Sequence, residues 1–186
     1  MVTLSALWMP IVLSAVLVFI VSSILHMVLK YHASDYTKLP NEDAVRAAIR
    51  SGNPAPGAYM LPYVGDYSQI KNPDVVQKFV DGPVGMLTLR KSGTYAMGGS
   101  LAQWFVFSLV VAIFAAYIAS RTVPPGTDYL HVFRVVGTVA FLSYAGGEIP
   151  PSIWMGKPWS ITFKDVLDGL IYGLVTAGAF GWLWPR

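Results

Sequence analysis

The chain has 186 residues, of which 54% are hydrophobic and 12% charged, with 13 Lys and Arg against 10 Asp and Glu and no cysteine. A soluble domain of this length carries about 25% charged residues, so a mean hydropathy of +0.53 points to a chain whose solvent is partly lipid. The absence of cysteine excludes a disulfide framework, thiolate metal sites, iron–sulfur clusters and a cysteine nucleophile. A net charge of +3, with basic and acidic residues interspersed, gives no basis for a nucleic-acid partner.

A hydrocarbon core about 30 Å thick needs roughly 20 apolar residues of helix. The first such span is expected at about 7–28, inside a stretch from Met1 to Met27 without Asp, Glu, Lys or Arg. It lacks a basic n-region and a small-x-small cleavage site, so it reads as a retained helix rather than a signal peptide. A polar segment, 31–100, follows. Asn41 predicts a capped helix from Glu42 to Ser51, stopped by Gly52, and Asn72-Pro73 predicts a second, stopped by Gly82-Pro83. Both are amphipathic, with Val45, Ala48 and Ile49 on one face of the first and Val75, Val76, Phe79 and Val80 clustered on the second. Met86 to Arg90 and Thr94 to Met97, around Ser92-Gly93, predict a small hairpin.

The second span is expected at about 101–120, uncharged throughout. The third, at about 130–145, is short and carries Arg134; the fourth, at about 163–184, has Lys164, Asp165 and Asp168 in its first turns. The connection from Ile149 to Trp159, rich in Pro and Trp, reads as a stiff interfacial anchor. The expected fold class is therefore all-α integral membrane, four transmembrane helices in a compact bundle with a roughly 70-residue polar insert between helices 1 and 2. No internal repeat supports an inverted-repeat transporter.

Eight basic residues fall in or beside the insert and Lys157 and Lys164 around the third connection, against Arg121, Arg134 and Arg186 on the other side. The positive-inside rule places the insert in the cytoplasm and both termini outside. Trp8, Trp182 and Trp184 then suit one interface, and Trp104, Trp154 and Trp159 the other. Helices in lipid associate through close packing, for which the fourth span offers a stripe of Gly169, Gly173, Ala177 and Gly181. The second span offers Ser108, Ala112, Ala115, Ala116 and Ala119, and the third Gly137 and Ala140. An intramolecular seam is the preferred use of the glycine stripe, with a dimer interface as the alternative.

Polar groups gather at the cytoplasmic end of the expected spans: His26, Gln103, Glu148, Asp165 and Asp168. Intramembrane ionisable groups usually face a bundle interior or a water-filled cavity, so these are candidates for a proton- or cation-binding vestibule. The plainer reading has them capping helix ends, pairing with Lys164 or reaching interfacial water. His26, Glu148 and Asp168 are suitable ligand types for a divalent metal, but no spacing motif joins them, and neither a metal site nor a cofactor is expected. On the outer side His131 and Arg134 are candidates for an anion or lipid-headgroup contact, with Asp128 as the plainer partner of Arg134. No P-loop, Rossmann glycine pattern, HExxH or GxSxG is present, and no catalytic residue is assigned.

Two stretches carry a resemblance. One is Ser23-Ile24-Leu25-His26-Met27-Val28-Leu29-Lys30-Tyr31-His32, running into Ser34-Asp35-Tyr36 and Leu39-Pro40. The other is Ile153-Trp154 through Gly156-Lys157-Pro158-Trp159 to a closing helix ending Trp182-Leu183-Trp184-Pro185. Together they resemble small bacterial four-helix inner-membrane protein families of unknown function, which implies that location and a four-span fold but no activity. The functional expectation is a polytopic protein of structural or interaction type, an accessory subunit of a larger membrane complex, with membrane lipids and a membrane-protein partner or second copy as partners. The alternatives are a small transporter or channel component using the inner-face vestibule and, further off, a membrane-embedded enzyme.

Overall fold

The computed structural model describes residues 1–94 and 96–186. In chain order the elements are α1 (Trp8–Ser23), α2 (Glu42–Ser51), β1 (Gly57–Leu61), α3 (Pro73–Asp81), β2 (Gly85–Leu89), α4 (Met97–Thr122), α5 (Tyr129–Ala145), α6 (Ile149–Trp154) and α7 (Trp159–Trp182). They divide into two units: Met1–Asp35 with Ala96–Ser152 and Lys157–Arg186, and Tyr36–Tyr95 with Ile153–Gly156.

Three helical stretches are long and apolar enough to cross a membrane: Leu4–Val28, Met97–Thr122 and Tyr129–Trp154. Each extends beyond the boundary expected from composition. The first is entered through a 3₁₀ turn, Leu4–Leu7, and prolonged by a π-helical turn, Ile24–Val28. The third does not end at Ala145 but continues through a 3₁₀ turn, Gly146–Glu148, into α6. Pro150 and Pro151 fall in the first turn of α6, where a missing N–H breaks no helical bond. The connection expected as a stiff interfacial anchor is thus helical up to Trp154. The fourth expected span, α7, is not among the three, because Lys164, Asp165 and Asp168 dilute its apolar content.

In the first unit α1 packs on α4 and α7, and α5 packs on the same two helices. The α5–α7 seam is close because glycine makes it so. A Cβ on Gly169 would stand 2.8 Å from the Ala145 Cβ, one on Gly173 3.1 Å from the Phe141 backbone, and one on Gly137 3.1 Å from the Ala177 Cβ. One end of this unit is an apolar core in which Leu7, Ala115, Val132, Val136 and Phe180 are fully buried. The other end gathers Val18, Leu25, Tyr144 and Tyr172. Buried hydroxyls are satisfied locally: Ser14, Ser22, Ser108, Ser120 and Thr176 each donate to a carbonyl three or four residues back in their own helix. Two tryptophans expected at the interfaces turn inward instead. Trp104 Nε1 donates to Ser22 Oγ at 2.9 Å, and Trp184 Nε1 donates to the Pro124 carbonyl at 2.9 Å.

In the second unit Asn72 caps α3, its Oδ1 accepting from the Asp74 N–H at 3.0 Å. Asn41 does not cap α2 with its side chain, because it takes a left-handed conformation, φ 54°. The strand Gly85–Leu89 pairs antiparallel with Gly57–Leu61, Gly57 opposite Leu89 and Leu61 opposite Gly85. The expected partner, Thr94 to Met97, does not supply the second strand: Met97 already belongs to α4, and Tyr95 lies outside the described residues. No described residue of this unit is buried.

Candidate functional site

The site begins where α1 departs from regular geometry. The π-helical turn carries His26, and such turns recur at functional positions. Lys30 then adopts φ 53°, unfavourable for a residue with a Cβ. The chain reverses there into a 3₁₀ turn, Tyr31–Ser34. The reversal lays His32 over His26, their rings stacked at 4.5 Å and 7°.

Both imidazoles are oriented through Nδ1. That of His26 lies 3.1 Å from the Ser22 carbonyl, which only accepts, so this nitrogen carries the hydrogen. That of His32 lies 2.6 Å from Asp35 Oδ2. Both Nε2 atoms turn to one carboxylate oxygen, Asp168 Oδ2 on α7, at 3.6 Å from His26 and 3.0 Å from His32. Asp168 is 4% exposed. Lys164, one turn earlier, holds Asp35 in an ion pair and also donates to the Tyr31 carbonyl at 2.8 Å and Ser34 Oγ at 2.9 Å. The Lys164 hydrogen bond, aided by His32, holds the Asp35 carboxyl below its usual value against the opposing effect of burial. Among the described residues the buried side-chain polar atoms without a hydrogen-bond partner are Tyr31 Oη, Asp168 Oδ1 and Tyr172 Oη. All three belong to this site: Tyr31 packs on the His32 ring at 4.2 Å, and Tyr172 follows Asp168 by one turn. Orphaned buried polar atoms are uncommon and call for a partner.

Beside the cluster lies a cavity of about 540 Å³, whose wall includes His26, Glu148, Asp165 and Asp168. Trp104, Phe107, Tyr144 and Tyr172 contribute an interlocked aromatic surface, with ring centroids 5.4 to 6.1 Å apart. Lys157 Nζ reaches Glu148 Oε2 and Asp165 Oδ2, each at 2.6 Å. Burial alone would lower the Lys157 pKa, but the hydrogen bonds it donates to Asp165 and Glu148 outweigh that and raise it.

Four of the five inner candidates therefore meet at one cavity. Gln103 does not, because it is exposed on α4 and its neighbour Trp104 occupies the inward position. Lys164 does not pair with Asp165 or Asp168; it turns to the Tyr31–Ser34 turn and Asp35. On the other side of the bundle His131 and Arg134 are exposed. Asp128 caps α5 by accepting from the His131 N–H at 3.1 Å, and no Asp128–Arg134 ion pair forms among the described residues. Sequence reasoning missed His32 and Asp35. Their signal is the spacing of His26, His32 and Asp35, which means little until Lys30 reverses the chain.

Comparison with protein-family models, curated proteins and solved structures finds no match to this chain.

Proposed function

We propose that the protein is a four-span integral membrane protein whose bundle holds a cation-binding vestibule at one end, in the class of small transporters or channel components. The fourth span is supported by packing rather than hydropathy. The C-terminal end of α7 is tied to the α4–α5 loop, through Trp184 to the Pro124 carbonyl and through the Gly126 N–H to the Pro185 carbonyl at 2.9 Å. Its first turns meet the π-helical turn that prolongs α1 through Asp168 and His26. A helix anchored at both levels shares the thickness that α4 and α5 cross, and its 24 residues reach about 36 Å. The distribution of basic residues supports a cytoplasmic vestibule and insert, and the family resemblance supports a bacterial inner membrane.

The observation that carries the reading is the convergence of His26, Glu148, Asp165 and the buried, half-satisfied Asp168 on one cavity. The closely packed apolar core at the other end of the bundle supports a one-sided vestibule rather than an open pore. The test is reconstitution into liposomes with proton- and Zn²⁺-sensitive indicators inside. Asp168→Asn is expected to abolish flux while leaving the melting temperature of the detergent-solubilised protein within a few degrees; wild-type flux no greater than that of protein-free vesicles overturns the proposal.

One observation favours an accessory-subunit role alongside this. No described residue of the second unit is buried, and apolar side chains of its amphipathic helices, Val45, Val76 and Val80 among them, are exposed. Such faces suit headgroups or a membrane-protein partner. Native mass spectrometry after gentle extraction is expected to show a fixed partner if this role holds, and a lone species if it does not.

A further inference from the structure

We propose that His26, His32 and Asp168 form a binding site for a first-row divalent transition cation of the zinc class, held by the two histidine Nε2 atoms and the Asp168 carboxylate. This names the cation for the vestibule described above, and in its transport aspect it rests on that reading. The three ligand atoms come from three separate parts of the fold: the π-helical turn, the 3₁₀ turn after Lys30, and α7. They lie within 4.8 Å of one another. Donors bound to one zinc at about 2.0–2.2 Å stand roughly 3–4 Å apart. The His32–Asp168 and His26–Asp168 separations, 3.0 and 3.6 Å, already lie in that range.

His32 Nε2 hydrogen-bonds Asp168 Oδ2, and the two imidazoles are stacked at 7°, so an ion would replace that hydrogen bond and tilt one ring toward the other. The layer behind the ligands is the one a metal site needs. A ligating histidine characteristically donates its other ring N–H to a carboxylate or a backbone carbonyl, which fixes the tautomer and aims the lone pair. Here His32 has Asp35 in that place and His26 has the Ser22 carbonyl. Asp35 is itself held by Lys164, so the supporting layer is complete on that side. Asp168 Oδ1 is buried without a hydrogen bond of ordinary length, and the Tyr172 hydroxyl beside it is its polar neighbour, so the carboxylate keeps capacity for a cation. Two imidazoles with one carboxylate suit zinc, iron, cobalt or nickel and disfavour the oxygen-seeking Mg²⁺ and Ca²⁺. Because His26 and Asp168 also border the cavity, the remaining coordination position faces space that water or a second ligand can enter.

The test uses the full-length protein in detergent, with any affinity tag removed and metal stripped by a chelator, then titrated with Zn²⁺ against a chromophoric chelator. One Zn²⁺ per chain is expected. His26→Ala and His32→Gln are each expected to weaken it at least tenfold, and Asp35→Asn, which leaves all three donors in place, by about 10–100-fold. The His26 side chain is 50% exposed, so its variant tests the site without threatening the fold. Gln103→Ala serves as the unaffected control. Co²⁺ in place of Zn²⁺ is expected to give the intense visible bands of a low-coordinate ion in the wild type and to lose them in His26→Ala. Absence of stoichiometric Zn²⁺ in the wild type overturns the inference, as does wild-type affinity in both histidine variants. Stoichiometric Zn²⁺ binding without flux in liposomes upholds the site and removes the transport reading. Asp168-dependent proton flux without Zn²⁺ binding does the reverse.

Discussion

Lys157 shows how single charges are managed at the mouth of the vestibule. Its ammonium lies between Glu148 and Asp165, and without it two carboxylates would face each other in a partly buried position. Lys157→Met keeps the apolar stem and removes the charge, and is expected to destabilise the protein by about 1–2 kcal/mol, read as a lowered melting temperature at pH 7. The folded chain raises the Lys157 pKa, so its stabilising effect is fully present below the unfolded lysine value of about 10.4 and is lost as pH rises through the folded value. The melting-temperature gap between wild type and Lys157→Met should therefore stay constant through neutral pH and close in strong alkali; a gap that widens there would contradict the assignment. Residues of this kind were only half legible in the sequence. Asp165 and Glu148 announced themselves as carboxylates beside apolar helices, whereas the pairing through Lys157 depends on how α6 and α7 are joined. His32 and Asp35 were less legible still, because a left-handed Lys30 has no sequence signature.

At the scale of elements, the clearest reading was the small-residue stripe of α7, since a four-residue spacing of glycine and alanine has one geometric meaning in a lipid-facing helix. The structure places it against α5 at separations that admit no side chain. Gly169→Ala would set its Cβ 2.8 Å from the Ala145 Cβ and 3.0 Å from the Ala145 nitrogen, and backbone cannot yield as a flexible side chain does. A loss of about 1–3 kcal/mol is expected. Gly178 lies off the seam, where a Cβ would meet Tyr129 Oη at an ordinary 3.7 Å. Gly178→Ala is expected to be neutral or to stabilise by up to about 1 kcal/mol through helix propensity. Parallel thermal melts in one detergent check the pair, and equal effects would mean that the seam is not what sets stability. Elements with weaker local preference were misread. The Pro- and Trp-rich connection read as a stiff interfacial anchor, and its helical first half was not foreseen, although proline is at home in a first turn. The strand Gly85–Leu89 found its partner 24 or more residues earlier in the chain rather than across the Ser92-Gly93 turn, a choice that local pattern does not encode.

The whole molecule turns on whether α7 crosses the membrane. Hydropathy alone singles out three spans, and a three-span chain would leave α7 on the side of its own first turns. Packing argues otherwise. Of its polar residues Thr162 and Asp168 are buried within the bundle, 1% and 4% exposed, and Lys164 and Asp165 are partly exposed. Each of its charges has a partner: Lys157 for Asp165, His26 and His32 for Asp168, and the Tyr31–Ser34 turn with Asp35 for Lys164. The far end of α7 is hydrogen-bonded to the loop that joins α4 to α5. The chain contains no cysteine, so single cysteines can be introduced without a background. Ser51→Cys and Met155→Cys are expected to react with a membrane-impermeant maleimide only in inside-out vesicles. Ser5→Cys, Thr122→Cys and Arg186→Cys should react from the opposite side, in right-side-out vesicles. Met155 and Arg186 bracket α7, so their opposite labelling defines the fourth span whichever way the molecule faces, while labelling of both from one side would reduce the bundle to three spans and leave Asp168 at a membrane surface.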